Sequence, residues 1–127
     1  MTKSHESAEG RIDRLCGMIG LAKRASRLQC GTEMCCEAVR AGKAKLVLLA
    51  DNVSQNTKKR VQNCCTYYRS ACRTLPIGAD RLSHAVGASM SLAAIAVTDE
   101  GFAQAITALL PDPSQSDIST KPQEVQG

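Results

Sequence analysis

At 127 residues, of which 43% are hydrophobic, the chain is long enough for one domain with a real core, and none of its apolar runs is long enough to span a bilayer. Met1 to Gly10 are polar with no apolar segment behind them, which excludes a signal peptide reading and leads us to expect a cytoplasmic protein. The formal charge of +4 is uneven: residues 11–60 hold 11 Lys/Arg against 4 acids, whereas from Asp99 onward there are 5 acids and only Lys121, so the basic half suggests a polyanionic partner, with a merely solvated charged face as the alternative.

In chain order, residues 1–10 are expected to be disordered. A helix is predicted from Arg11 to Lys23, because Ile12, Leu15, Cys16 and Ile19 recur at helical spacing and leave Arg11 and Arg14 off the stripe. Ala25 to Cys30 is a connection or edge strand that carries the basic cluster Lys23, Arg24 and Arg27. Gly31 permits a tight turn into a second helix, about Thr32 to Ala41, with Thr32 as the expected cap and Gly42 as its stop. Leu46 to Ala50 is an unbroken, non-alternating apolar run, the pattern of a strand buried on both faces, and Asp51-Asn52 ends it.

Ser54 caps a third helix running to about Ser70, which exposes Lys58, Lys59 and Arg60 and turns Val61, Cys64, Cys65 and Tyr68 to one stripe. Cys72 to Leu75 is predicted as a second buried strand closed by Pro76, followed by a short helix, Arg81 to Val86, with Asp80 as cap and Gly87 as stop. Ala88-Ser89-Met90 form a loop into a third buried strand, Leu92 to Val97. Thr98-Asp99 then cap a last helix, with Phe102, Ile106 and Leu109 inward, which Pro111 stops. The folded domain is thus 11–110, and the polar residues 111–127 are expected to be a disordered tail. Helices alternate with strands, which predicts an α/β fold, a three-layer α/β/α sandwich around a small mixed, mainly four-stranded sheet with right-handed crossovers. There is no internal repeat.

The motifs of enzymes are missing. No Gly-x-Ser-x-Gly, phosphate loop or dinucleotide fingerprint occurs. Glu33 and Glu37 share a helix face and Asp99-Glu100 open another, but acids in a first helical turn are favoured by the helix dipole alone. The seven cysteines include the adjacent pairs Cys35-Cys36 and Cys64-Cys65 and no C-x-x-C; adjacent residues on a helix diverge, so core packing is expected rather than a metal site. A thiol or metal sensor would instead carry bound metal through purification. No cofactor is expected. The three aromatic residues, Tyr67, Tyr68 and Phe102, are too few for a base-stacking platform. A nucleic-acid partner would therefore be read through shape, backbone and non-canonically paired bases. The start of the second helix, with its unsatisfied N–H groups, is the natural receptor for a phosphate or base edge.

Three separated blocks bring a family into view. Ile19-Gly20-Leu21-Ala22-Lys23-Arg24-Ala25, then Cys30-Gly31-Thr32-Glu33, then Ala38 through Asn52, resemble the bacterial YlxQ-like branch of the L-seven-Ae ribosomal protein family. Leu82 to Gly87 and Ala96 to Phe102 are similar to the same branch, so the likeness covers about residues 11–110. The resemblance implies an α/β/α sandwich and non-catalytic RNA binding. Relatives bind kink-turns, sharply bent RNA helices with tandem G·A pairs. They use the N-terminus of the second helix, the loop after the central strand and the loop before the last strand. Carried onto this chain, those are Gly31, Thr32, Glu33, Met34 and Glu37, then Asp51 and Asn52, then Val86, Gly87, Ala88, Ser89 and Met90.

The archaeal and eukaryotic relatives resemble Gly-x-Asn-Glu-x-x-Lys at this helix start. Here Glu33, Met34 and Glu37 stand in place of the Asn, Glu and Lys, and a carboxylate in place of an ammonium removes a donor and adds repulsion. Lys23, Arg24, Arg27, Lys43, Lys58 and Lys59 supply the electrostatic part of the expected interface. The expectation is a monomeric binder of structured RNA, kink-turn or ribosomal, with the ribosome or RNA-processing proteins as further partners. A protein-interaction module on the same fold is the alternative.

Overall fold

Leu46, Val47, Leu48 and Leu49 are all buried, and their period of two sends them to opposite sides of one strand. Leu46 and Leu48 join one core with Leu15, Ile19, Leu82, Ile95 and Ile106; Val47 and Leu49 join a second with Cys35, Val39, Val61 and Cys65. A strand with a core on each face has to lie inside a sandwich. In the computed structural model, which describes residues 8–110, it does.

The elements run α1 (Ala8–Arg24), β1 (Leu28–Cys30), α2 (Thr32–Arg40), β2 (Leu46–Leu49), α3 (Gln55–Tyr68), β3 (Cys72–Thr74), α4 (Ala79–Val86), β4 (Ala94–Val97) and α5 (Glu100–Leu109). The sheet order is β1-β4-β2-β3, with β2 and β3 parallel and β4 antiparallel to both β1 and β2. Helices α1, α4 and α5 build the first core and α2 and α3 the second. The predicted fold class, an α/β/α sandwich on a mixed four-stranded sheet, is the one observed.

Several local expectations change. Helix α1 begins at Ala8, so 8–10 are helical where disorder is predicted; Arg81 on α4 donates to Glu9 (2.7 Å) and Asp13 (2.8 Å), which ties down the first turns. Residues 1–7 and the predicted tail 111–127 lie outside the described residues. Strand β3 is an edge strand, paired only to β2, so Cys72, Arg73 and Thr74 are half-buried or exposed rather than core. Tyr68 stays exposed at the end of α3, past the last turn that packs on the sheet. Strand β4 is shorter than predicted, because 88–93 are spent on the loop that brings the chain back to the sheet. Asp99 caps α5, accepting from the Phe102 amide at 2.9 Å.

Candidate nucleic-acid interface

The register places the candidate residues. Cys30 pairs with Ile95, Leu49 with Ala94 on one side and Thr74 on the other. The carboxyl ends of β1, β2 and β3 and the amino end of β4 therefore share one edge of the sandwich, here called the upper edge. Helices α2, α3 and α4 all begin there, presenting N-terminal amides, the arrangement in which α/β sheets receive ligands. Backbone bonds sew the edge together: the Gly31 amide to the Ala94 carbonyl (2.9 Å), Ala50 to Ala93 (2.9 Å), Asp51 to Ile77 (2.8 Å). Gly31 has φ 103°, a conformation that suits glycine, and it carries the chain from β1 into α2.

Three predicted segments, 31–34, 51–52 and 87–90, thus meet at one edge, together with Lys58 and Lys59 in the first turns of α3. Within them, roles differ from those predicted. Thr32 is the first residue of α2 and Gly31 its cap; no side chain caps this helix, so its first amides stay open to a ligand. Glu33 is held by Arg60 at 2.6 Å, both side chains largely exposed. The Glu33 carboxylate and their hydrogen bond raise the Arg60 guanidinium above its ordinary range. Met34 and Met90 present exposed apolar surface, Met90 at 72%.

Asn52 is not simply a turn former: its Oδ1 accepts from the Ala79 amide at 2.9 Å and caps α4, whose own cap, Gly78, has no side chain to offer. Gly78 matters for the same reason, since a Cβ there would lie 3.0 Å from the Asn52 amide nitrogen. Asn52→Ala should cost about 1 kcal/mol of stability, the usual worth of a side-chain cap, read as a shift of the denaturation midpoint with unchanged slope.

Val86 must be withdrawn from the surface set. It is 7% exposed and packs in the core, because α4 turns its apolar stripe, Leu82 and Val86, onto α1 and the sheet. The loop after it is fixed from within: Gly87 ends α4 at φ 74°, the Ser83 hydroxyl donates to the Met90 carbonyl at 2.6 Å, and the Ser91 hydroxyl donates to Asp80 at 2.7 Å. Asp80, expected as the cap of this helix, lies inside its first turn behind the cap Gly78 and holds Ser91 instead; the buried serine is the contributor that sequence reading missed, and a serine on an otherwise apolar helix face was the available signal.

The largest difference concerns charge. Lys23 and Arg24 end α1, and Arg27 and Lys43 precede β1 and β2, so all four sit at the opposite, lower edge and not beside 31–34. Glu37 lies one turn along α2 from the upper edge and lines a recess of about 180 Å³ with Gln29, Met34, Lys43 and Thr98. The upper edge itself sets Lys58, Lys59, Arg60 and Arg81 against Glu33, Asp51, Asp80 and the Glu9 and Asp13 that hold Arg81, which is close to balance.

The cysteines behave as small hydrophobes. Cys35 and Cys65 are core residues; burial pushes the Cys35 thiol well above the ordinary thiol range. The Cys64 thiol points to the Cys36 carbonyl at 3.9 Å. Among the described residues no group of three His, Cys, Asp or Glu could hold a metal ion, and no helix is long and apolar enough to cross a membrane.

Comparison with known proteins adds to this geometry. Residues 13–107 match the model of the ribosomal protein L7Ae/L30e/S12e/Gadd45 family. The chain is 36% identical over 93 residues to the RNA-binding protein YlxQ of Bacillus subtilis, covering 73% of this chain and 91% of that protein. It is 34% identical over 96 residues to the protein of the same name from Enterococcus faecium, covering 76% and 90%. Among solved structures, a protein of unknown function from Bacillus halodurans superposes with TM-score 0.70 at 30% identity, covering 76% of this chain and 95% of that one. A Giardia lamblia 15.5 kD RNA-binding protein superposes at TM-score 0.62 with 14% identity, covering 77% and 83%, a likeness of fold.

Proposed function

The chain belongs to the ribosomal protein L7Ae/L30e/S12e/Gadd45 family, and from that premise we propose that it binds structured RNA, in the cytoplasm and as a monomer, without catalysing a reaction. The observation that carries this reading is the convergence of three helix N-termini and the 87–93 loop on one sheet edge. The uncapped amides at the start of α2 donate to phosphate or base-edge oxygens, Met34 and Met90 lie against unstacked bases, and Lys58 and Lys59 neutralise phosphates. Gly31, Thr32, Glu33, Met34, Asp51, Asn52 and 87–90 form that face. Its RNA is a kink-turn or a ribosomal segment, and the ribosome or RNA-processing proteins are the wider partners. The relatives named as RNA-binding proteins support the reading, since the match spans 91% and 90% of their lengths.

A protein-interaction module is the second reading, favoured by the near balance of charge at the upper edge and by the two exposed methionines. One experiment separates them: affinity for a kink-turn RNA and for a control with its G·A pairs replaced, at two salt concentrations. Preference for the intact kink-turn is the expected result. Equal, salt-sensitive binding to both reduces the reading to backbone recognition. No binding to either RNA overturns it in favour of a protein partner.

A further inference from the structure

We propose that the lower edge of the sheet is a second phosphate-binding surface, so that the protein grips two separated segments of one folded RNA. The inference rests on the RNA reading above and adds a surface to it. Arg27, Thr98 and Lys45 lie side by side there: the Thr98 amide donates to the Arg27 carbonyl at 2.9 Å and the Lys45 amide to Val97 at 2.7 Å. With neighbouring strands about 4.8 Å apart, Arg27 and Lys45 sit within roughly 10 Å of each other across β4. Lys23 and Arg24 end α1 three residues before the strand, folded back by Ser26 at φ 63°. Arg40 ends α2, and Gly42 at φ 75° returns the chain so that Lys43 reaches the same side.

All six cations are exposed, and none forms an ion pair with another described residue. The helix dipole explains cations in the last turns of α1 and α2, but not Arg27, Lys43 and Lys45, which belong to no helix. The acids nearby are few: Glu37 on the flank, Glu100 in the first turn of α5 and Asp99, which is engaged as that helix's cap. At the upper edge, by contrast, Arg60 and Arg81 are both committed to carboxylates.

The two surfaces are physically distinct. Along α3, Lys58 and the residues above the lower edge are separated by about eleven residues, roughly 16 Å at 1.5 Å each. That exceeds the Debye length of about 10 Å at 0.1 M salt, so the two groups of charge act on an RNA largely independently. The recess between β1 and α2 runs from Met34 past Glu37 to Lys43 and Thr98 and so links the two edges, with the Glu37 carboxylate as the one repulsive group on its wall. An arm of RNA leaving the upper edge along this flank would bring its phosphates to Lys43, Arg27 and Arg24.

The test uses one structured RNA in two forms, with long arms and with arms trimmed back to the segment that covers the upper edge. Affinity is measured across a range of salt for the wild-type chain, for Arg24→Glu with Lys43→Glu, and for Lys58→Glu with Lys59→Glu; circular dichroism checks that each variant is folded. The lower-edge pair should lower affinity for the long-armed RNA at least about tenfold and flatten its salt slope by about two, with a much smaller effect on the trimmed RNA. The upper-edge pair should weaken both. Equal losses on both RNAs for the lower-edge pair would mean one continuous surface and overturn the proposal. So would no loss on either, while leaving the RNA reading in place. A wild-type chain that binds neither RNA overturns the RNA reading itself.

Discussion

Leu48→Ala should destabilise the protein by about 3–4 kcal/mol, measured as a drop in the urea midpoint with little change in slope. Leu48 has no exposed surface and sits on β2, which is flanked by β4 and β3, with its side chain among Leu15, Ile19, Leu82, Ile95 and Ile106. Its neighbours belong to three helices and the next strand, so no single element can move to fill the gap. Set against a total stability of about 5–15 kcal/mol, the loss removes from about a fifth to about four fifths of it. Because β2 leads directly into Asp51 and Asn52, RNA affinity should fall with the folded fraction and recover at lower temperature.

Gly20→Val is expected to cost about 2–3 kcal/mol, whereas Gly17→Ala one turn earlier should raise stability by up to about 1 kcal/mol. Both glycines are on α1, where glycine is otherwise a poor choice. A Cβ at Gly20 would lie 3.0 Å from the Ala85 backbone carbonyl, so α1 and α4 touch along this point; at Gly17 a Cβ meets nothing within 4 Å. Valine at position 20 must push apart two helices that share the core of Leu15, Ile19, Leu82 and Val86 and are tied by Arg81 to Glu9 and Asp13. Thermal melting of the two variants decides the matter: equal shifts would mean that the approach of α1 to α4 relaxes freely. Since α4 positions the 87–93 loop, Gly20→Val should also weaken RNA binding beyond its effect on folding, and Gly17→Ala should not.

Much of the fold was legible because the signals were local. The unbroken run at Leu46 to Ala50, the stripe on α1 and the caps Ser54 and Asp99 depend on neighbours in sequence, and the elements they predict are present. What failed depended on partners far along the chain. Thr32 loses the cap position because Gly31, bonded to Ala94, fixes the turn before it. Asn52 caps a helix 27 residues away, which no window of sequence reveals. The buried reading of Cys72 to Leu75 holds at Leu75, which is core, and fails at Cys72 to Thr74, because edge and central strands share one composition and differ only in who pairs with them.

The amino-acid sequence by itself determined the alternation of helix and strand, the sandwich, the chemical class of the basic half and the likeness to an RNA-binding family, since periodicity, composition and motif are properties of the chain alone. Where the charges stand was decided only by the tertiary structure. Lys23, Arg24, Arg27 and Lys43 are close in sequence to Gly31 and Glu33, yet β1 and α2 each carry the chain across the sheet, so their ends belong to opposite edges. A strand of three residues moves its ends by about 7–10 Å, and a nine-residue helix by about 13 Å. Nearness along the chain therefore becomes separation in space, and one predicted patch becomes two.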